Sequence, residues 1–219
     1  MDFFEVIHTQ RSIRRFKPDS VPEELLWEML DAAIRGPSGS NSQPWRWIVV
    51  RDGAKRKAIA QAVSTWMAAR TDRPALNTGQ PAAQEPDASK RRTAQAAADF
   101  FADVSQAPVL VIPCLYQLTS PLGDAQHLLA GTSIYGAVQN MMLAARAQGL
   151  GTTLMTFQRG IEDTLRTLLR LPPDAAPACV VPLGFPAEGQ RFGPVTRKPV
   201  ESVVYWDDWG RAKGRMSLQ

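Results

Sequence analysis

Apolar residues recur at helical spacing near the start of the chain. Between residues 25 and 34 they return every three or four positions, as on one face of a helix. The preceding Ser20-Val-Pro-Glu23 has the pattern of a capping box with an early proline, and Gly36-Pro37 follows the run. The pattern predicts an amphipathic helix that starts next to Ser20 and ends before Gly36.

The rest of the chain contains further segments with a helical period, and it also contains short continuous apolar runs. Further helices are predicted over residues 3–9, 54–69, 91–103, 124–148 and 161–171. Strands are predicted over residues 47–50, 108–112, 152–155, 179–183 and 202–205. Because helices and strands do not alternate as regular βαβ units, the order predicts an α+β fold, with a sheet packed among helices.

Two segments differ from this pattern in composition. The helix over 124–148 carries small residues at Gly131, Gly136, Ala137 and Ala144, which allow another backbone to approach closely, and Gly149 ends it. Residues 71–88 are rich in Pro, Gln, Asn and Ala and have no periodicity, so we predict a mobile surface segment there.

Length and charge narrow the class of protein. A chain of 219 residues and 24.1 kDa suits one domain, over residues 1–219. Its net charge is +4, but the basic residues are scattered, whereas a nucleic-acid binder gathers them on one face. Scattered arginines favour small anionic ligands such as phosphates. We therefore expect neither a nucleic-acid nor a membrane partner.

Compartment and metal content are predicted from a few residues. The first residues lack a basic stretch followed by an apolar run, and no run is apolar enough for a membrane span, so we expect a cytoplasmic protein. Cys114 and Cys179 lie in apolar runs and are predicted to be buried, reduced thiols. His8 and His127 belong to no Cys/His cluster, so no metal site is predicted.

The first polar cluster that is a candidate binding site is Arg11-Ser12-Ile13-Arg14-Arg15-Phe16. Guanidinium groups and a hydroxyl within so few residues form a natural clamp for an anion. In an extended segment Ser12 and Arg14 project to one face. The cluster alone also fits a solvated basic turn.

The second cluster runs from Gly36 to Trp45, between a predicted helix and a predicted strand. Its sequence is Gly-Pro-Ser-Gly-Ser-Asn-Ser-Gln-Pro-Trp. Asn41 and Gln43 each carry a donor and an acceptor, which suits the edge of a heterocycle. A generic turn is the alternative, because the same residue types are common in turns.

Together the two clusters resemble the FMN-dependent nitroreductase family. The likeness continues at Ala144–Gly151, Val181–Pro186 and Arg197–Val204, so it spans roughly residues 3–210 in the family's order, except for about 70–120. It implies a mixed or antiparallel sheet surrounded by helices and an intertwined homodimer with FMN at the interface. It also makes residues 71–88 a candidate lid.

The resemblance implies roles for individual residues. Arg11, Ser12 and Arg197 would bind the FMN phosphate and ribityl chain, and Arg14 would lie near N1 and O2 of the ring and stabilise the negative charge of reduced flavin. The remaining contacts would come from Pro37, Ser38 and Gly39 of the partner subunit, from Asn41 and Gln43, and from Leu154, Met155 and Thr156. Gln10 departs from the family, which often has a second arginine there.

The implied activity is hydride transfer from NAD(P)H through FMN to an electron-poor acceptor, such as a nitroaromatic or a quinone, by a ping-pong mechanism. NAD(P)H would be a passing substrate, because Gly149-Leu-Gly151 lacks the third glycine of a dinucleotide fingerprint. Hydride leaves from the flavin, so no protein nucleophile or acid–base residue is predicted. Alternatives are a flavin-fragmenting or reductively dehalogenating relative, a flavin-binding protein without turnover, and a helical interaction module without cofactor.

Overall fold

A computed structural model of the chain describes residues 1–69, 88–117 and 128–211. Its helices are α1 (Phe3–Thr9), α2 (Glu23–Ala33), α3 (Gly53–Ala68), α4 (Ala88–Ala102), α5 (Leu128–Ala147) and α6 (Glu162–Leu169). Its strands are β1 (Trp45–Val50), β2 (Val109–Tyr116), β3 (Gly151–Thr152), β4 (Ala175–Pro177) and β5 (Val181–Gly184). The predicted α+β fold is confirmed.

The strands form one sheet in the order β1-β2-β5-β3, with β4 also paired to β2, and all these pairs are antiparallel. Alternate residues of β2 enter two separate cores. Val109, Val111 and Leu115 pack with residues of α2 and α5, whereas Leu110, Ile112 and Cys114 pack with residues of α3, α4 and α6. Helices therefore cover both faces of the sheet.

The start of α2 differs from the prediction. Pro22 occupies the N-cap position, no side chain caps the helix, and Ser20 is exposed. The capping-box interpretation of Ser20 and Glu23 is therefore wrong. The proline fixes its own φ near the value required at the N-cap, and the helix begins at the following glutamate.

Two strand predictions differ from the structure. In place of a strand over 152–155, only Gly151 and Thr152 form β3, which pairs with β5, and Met155 makes one bridge with Val180. Residues 200–202 form a 3-10 turn where a strand was predicted over 202–205, and Val203 is 60% exposed. Apolar composition indicated a strand there, but no other strand of the described residues lies beside this segment.

Two predictions fall partly outside the residues that the structure describes. The predicted lid over 71–88 does so except for Ala88, which begins α4. His127 and the predicted first turn of the 124–148 helix lie outside as well, and α5 is described from Leu128. Among the described helices, none has both the length and the apolar content needed to cross a bilayer.

Candidate functional site

A cavity of about 360 Å³ lies beside the segment that follows α1. It is lined by Gln10, Arg11, Ser12, Arg14, Met142, Thr152, Leu154, Val195 and Arg197. The structure therefore brings Arg11, Ser12 and Arg14 of the predicted anion clamp together with Arg197, which is far from them in sequence. We call this space the arginine cavity.

Hydrogen bonds to β3 fix the N-terminal wall of the arginine cavity. Ile13 N donates to Thr152 O at 2.9 Å, and the Thr153 hydroxyl donates to Ile13 O. A Cβ at Gly151 would lie 2.6 Å from the Ile13 side chain, so only glycine allows this close approach. With Ile13 buried in the core, its neighbours Ser12 and Arg14 reach the cavity.

A returning segment brings Arg197 to the same place. Lys17 N donates to Phe185 O at 2.8 Å, and Gly193 N donates to Thr9 O at 2.5 Å. Residues 185–193 therefore run back along residues 9–17. Four residues beyond Gly193, Arg197 is left next to the N-terminal arginines.

The electrostatics of the arginine cavity favour an anion. Among the described residues, its lining has three arginines and no carboxylate. Burial lowers the pKa of Arg14, and the charge of Arg11 lowers it further. Within the same part of the chain, the buried Nε of Arg14 has no hydrogen-bond partner. An anion in the cavity would supply that partner and offset the repulsion between Arg11 and Arg14, so the residues present fit a phosphate group.

The predicted residues of segment 154–156 divide by environment. Leu154 lines the arginine cavity and is 40% exposed. Met155 is 1% exposed, its side chain lies in the core, and its backbone N–H and C=O are both hydrogen-bonded to Val180. Thr156 is exposed but does not line the cavity.

The loop between α2 and β1 lies apart from the arginine cavity in one chain, since none of Pro37, Ser38, Gly39, Asn41 and Gln43 lines it. Ser38 Oγ accepts from Gln43 N at 3.1 Å, and the Gln43 side-chain amide donates to Asn41 Oδ1 at 3.2 Å. These bonds hold Asn41 and Gln43 with positive φ angles of 52° and 48°. Non-glycine residues in this conformation carry backbone strain, which is often found at binding sites.

Helix α5 supports that loop through the small residues singled out in its sequence. A Cβ at Gly36 would lie 2.8 Å from Ala137 N, so the loop meets the helix backbone directly. Gly39 N donates to the buried hydroxyl of Ser133 at 3.2 Å. The predicted close approach to this face of α5 is confirmed at Ala137.

A second cavity, of about 460 Å³, shares Arg14 with the arginine cavity. Its other lining residues are Arg15, Gln95, Ala96, Asp99, Phe100, Gln106 and Gln190. The sequence analysis did not single out Gln95 and Asp99. Their four-residue spacing on α4, with a 2.7 Å hydrogen bond from Gln95 Nε2 to Asp99 Oδ1, is common on solvated helix faces. Only the fold places them beside Arg14.

An apolar groove of about 630 Å³ runs between α2 and β1. On the helix side of the groove, Trp27 is 66% exposed, and Ile34 also lines the groove. On the strand side, the buried Nε1 of Trp47 has no hydrogen-bond partner. Strand β1 pairs with β2 along one edge, and no described strand pairs with its other edge.

Comparison with known proteins finds relatives that match most of the chain. The sequence model of the Nitroreductase family matches residues 7–185. An NADH dehydrogenase of Thermus thermophilus is 33% identical over 215 residues, which cover 90% of this chain and 92% of the relative.

Two solved structures have the same fold. One is a variant of the FMN and NADPH-dependent nitroreductase of Sphigopyxis sp. strain HMH, with a TM-score of 0.69 and 21% identity, covering 95% of this chain and all of the other. The other is an iodotyrosine deiodinase bound to FMN and 3-iodo-L-tyrosine, with a TM-score of 0.66 and 21% identity, covering 90% of this chain and 97% of the other.

Proposed function

The chain belongs to the nitroreductase family, and on that basis we propose that it is an FMN-dependent oxidoreductase acting on NAD(P)H and an electron-poor acceptor. When bound, FMN supplies hydride transfer from NAD(P)H to an acceptor such as a nitroaromatic or a quinone, the two substrates reacting in turn. The arginine cavity is the observation that carries the proposal. It joins Arg11, Ser12 and Arg14 to Arg197, and no carboxylate is among the described residues that line it.

Within this proposal the phosphate is bound by Arg11, Ser12 and Arg197. Guanidinium groups form charge-assisted hydrogen bonds with phosphate oxygens, and the Ser12 hydroxyl adds a donor. Gln10 also lines the cavity and offers an uncharged amide where the family often has an arginine. Three arginines still line the cavity, which is enough positive charge for a phosphate dianion.

Arg14 has a different role, because it lies where the two cavities meet. Its guanidinium remains protonated at neutral pH despite burial. With FMN bound, Arg14 would lie near N1 and O2 of the ring and would supply a fixed positive charge that favours the reduced flavin. Segment 154–156 would lie at another edge of the ring, with Leu154 in the lining of the cavity.

The proposal includes a homodimer in which the loop over residues 37–43 of one subunit meets the flavin bound to the other. The separation of this loop from the arginine cavity within one chain supports that arrangement. An apolar C-terminal segment supports it as well. Val200, Val203, Trp206 and Trp209 are between 52% and 93% exposed, and the apolar groove beside the free edge of β1 is a surface that a second copy can cover.

The proposal is tested by measuring FMN affinity. The purified protein should be yellow and release FMN on denaturation. Arg197→Ala should raise the FMN dissociation constant about tenfold or more, because a hydrogen bond to a charged group contributes about 1.5–3 kcal/mol. Arg191→Ala is the matched control, since Arg191 is exposed on the same segment outside the cavity. A protein that does not bind added FMN, or equal effects of the two substitutions, would contradict the proposal.

Reductive dehalogenation is a second candidate, favoured by the fold shared with the iodotyrosine deiodinase. The two activities are separated by product analysis. The reduced protein is given 3-iodo-L-tyrosine, or a quinone and a nitroaromatic, under argon. Iodide release faster than quinone or nitro reduction would favour the deiodinase reaction, and no iodide release would exclude it for this halide.

A further inference from the structure

Residues 154–157 alternate between two environments. Leu154 and Thr156 are exposed, whereas Met155 is buried and Phe157 is partly buried. Thr156 is therefore presented to solvent between two anchored neighbours. The position of this segment, which we have placed beside the flavin, depends on what anchors Met155 and Phe157.

The Met155 anchor is a pair of backbone hydrogen bonds to the sheet. Met155 N donates to Val180 O, and Val180 N donates to Met155 O, both at 2.9 Å. The buried side chain of Met155 packs in the core below. This end of the segment is fixed by the main fold.

The Phe157 anchor is aromatic. Its ring stacks on Trp66 of α3, with centroids 5.6 Å apart and planes 26° apart. It also meets Phe101 of α4 edge to face at 5.1 Å. The turn that follows closes around Trp66, since a Cβ at Gly160 would overlap the indole ring. Phe157 is thus held by residues of α3 and α4, both of which are distant from it in sequence.

The ring contacts continue toward Arg14. Phe101 contacts Phe100 at 5.9 Å, and Phe100 contacts Phe16 at 6.2 Å. Phe100 lines the second cavity, and Phe16 follows Arg14 by two residues. The five rings, which we call the aromatic array, connect the segment bearing Leu154 with the α4 wall beside Arg14. The array consists of Trp66, Phe157, Phe101, Phe100 and Phe16.

We infer that Trp66 is a positioning residue for the flavin reaction. Trp66 is in the lining of neither cavity. Through Phe157 its ring sets the placement of Leu154 and Thr156, and Phe157 in turn contacts Phe101 on the side of the wall beside Arg14. The inference rests on the proposed function, because it concerns groups placed around FMN. Rings of this size resist displacement, since a packed aromatic pair has a narrow range of favourable geometries.

The test compares Trp66→Leu and Trp66→Phe with Met29→Ala. Met29 belongs to α2 and is fully buried in the other core, so its substitution reports on loss of packing alone. Five quantities are measured on FMN-loaded protein. They are the melting temperature, the FMN dissociation constant, the visible absorption spectrum of bound flavin, and kcat and KM for a quinone.

We expect Trp66→Leu to shift the bound-flavin spectrum and to lower kcat about tenfold or more, because small misplacements of reacting groups are expensive in rate. Its FMN dissociation constant should change less than about threefold, since the arginine cavity stays intact. Trp66→Phe, which keeps a stacking ring, should recover most of the rate. Met29→Ala should lower the melting temperature and leave the spectrum and kcat unchanged.

A Trp66→Leu protein whose spectrum and kcat match the wild type would overturn the inference, even if its melting temperature falls. If Trp66→Leu does not fold, Gly160→Ala is used, because its Cβ would overlap the indole and the ring would have to shift. A normal spectrum and kcat in that variant overturn the inference as well. A wild-type protein that binds no FMN defeats the proposed function first, so the two failures are distinguishable.

Discussion

At the residue scale, the two cysteines lie in the sheet core, as their apolar neighbours predict. Both are buried and free. Burial raises the pKa of Cys114 from an ordinary value of 9.0 to about 11, against the opposing charge of Arg166. Burial, and then the nearby Cys114, raises the pKa of Cys179 to about 12. At neutral pH both groups are therefore protonated, unreactive thiols.

This protonation has two measurable effects. In native protein at pH 8, Ellman's reagent should label neither thiol on the time scale on which it labels both thiols of urea-unfolded protein.

The folded state holds the thiol protons more tightly, so the thiols stabilise it fully below pH 9, and that contribution is lost as pH rises toward 11–12. Urea midpoints at pH 8 and 10.5 should show the loss, with Cys179→Ala as the comparison. Rapid labelling of a native thiol would contradict this picture.

The residues of the arginine cavity show how far sequence reasoning reaches at this scale. Arg11, Ser12 and Arg14 are close in sequence, and their chemistry alone indicates an anion site. Placing Arg197 with them required the family resemblance. Met142 and Val195 carry no chemical signal, and only folding of the chain brings them to the cavity.

At the element scale, helix ends provide a matched pair of predictions. Asp52 caps α3, with its carboxylate accepting from Lys55 N at 2.8 Å. Asp52→Ala should therefore lower the free energy of unfolding by about 0.5–2 kcal/mol. Ser20→Ala should change it by less than about 0.5 kcal/mol, because Ser20 is exposed and caps nothing. Denaturant unfolding of both variants measures the difference in the free energy of unfolding. Equal losses in the two variants would indicate that Ser20 also caps a helix.

Elements were predictable where local pattern and tertiary contacts agree. Helices α2 and α3 and the central strand β2 combine the right period with a buried face. The apolar run at residues 202–205 has strand-like composition, but strand formation also requires a hydrogen-bonding neighbour, which composition does not show. Strand β3 does have such a neighbour in β5, but only Gly151 and Thr152 are in register with it, and composition does not show where that register ends.

At the scale of the whole molecule, the exposed C-terminal apolar residues give a prediction about assembly. A chain ending at Pro199 keeps Arg197 and the arginine cavity but lacks the exposed Val200, Val203, Trp206 and Trp209. If these side chains bind a second copy, the full chain should be a dimer and the shortened chain a monomer. Size-exclusion chromatography with light scattering measures both, and a shortened chain that remains dimeric would contradict this role.

The α+β architecture could be predicted from the sequence because one sheet with helices on both faces buries the apolar faces of its helices and strands in two cores. Val109, Val111 and Leu110 are consecutive apolar residues of one strand, and each finds a core on its own side. The second cavity could not be predicted in this way. It depends on where α4 lies relative to Arg14, which no local pattern determines.

The order of the cavity-lining residues along the chain has a consequence for how the protein matures. Its walls come from residues 10–14, from residues 142, 152 and 154, and from residues 195 and 197. During translation, residue 197 must therefore leave the ribosome before Arg11 and Arg14 can meet Arg197. An anion that needs all three arginines is bound only after that point.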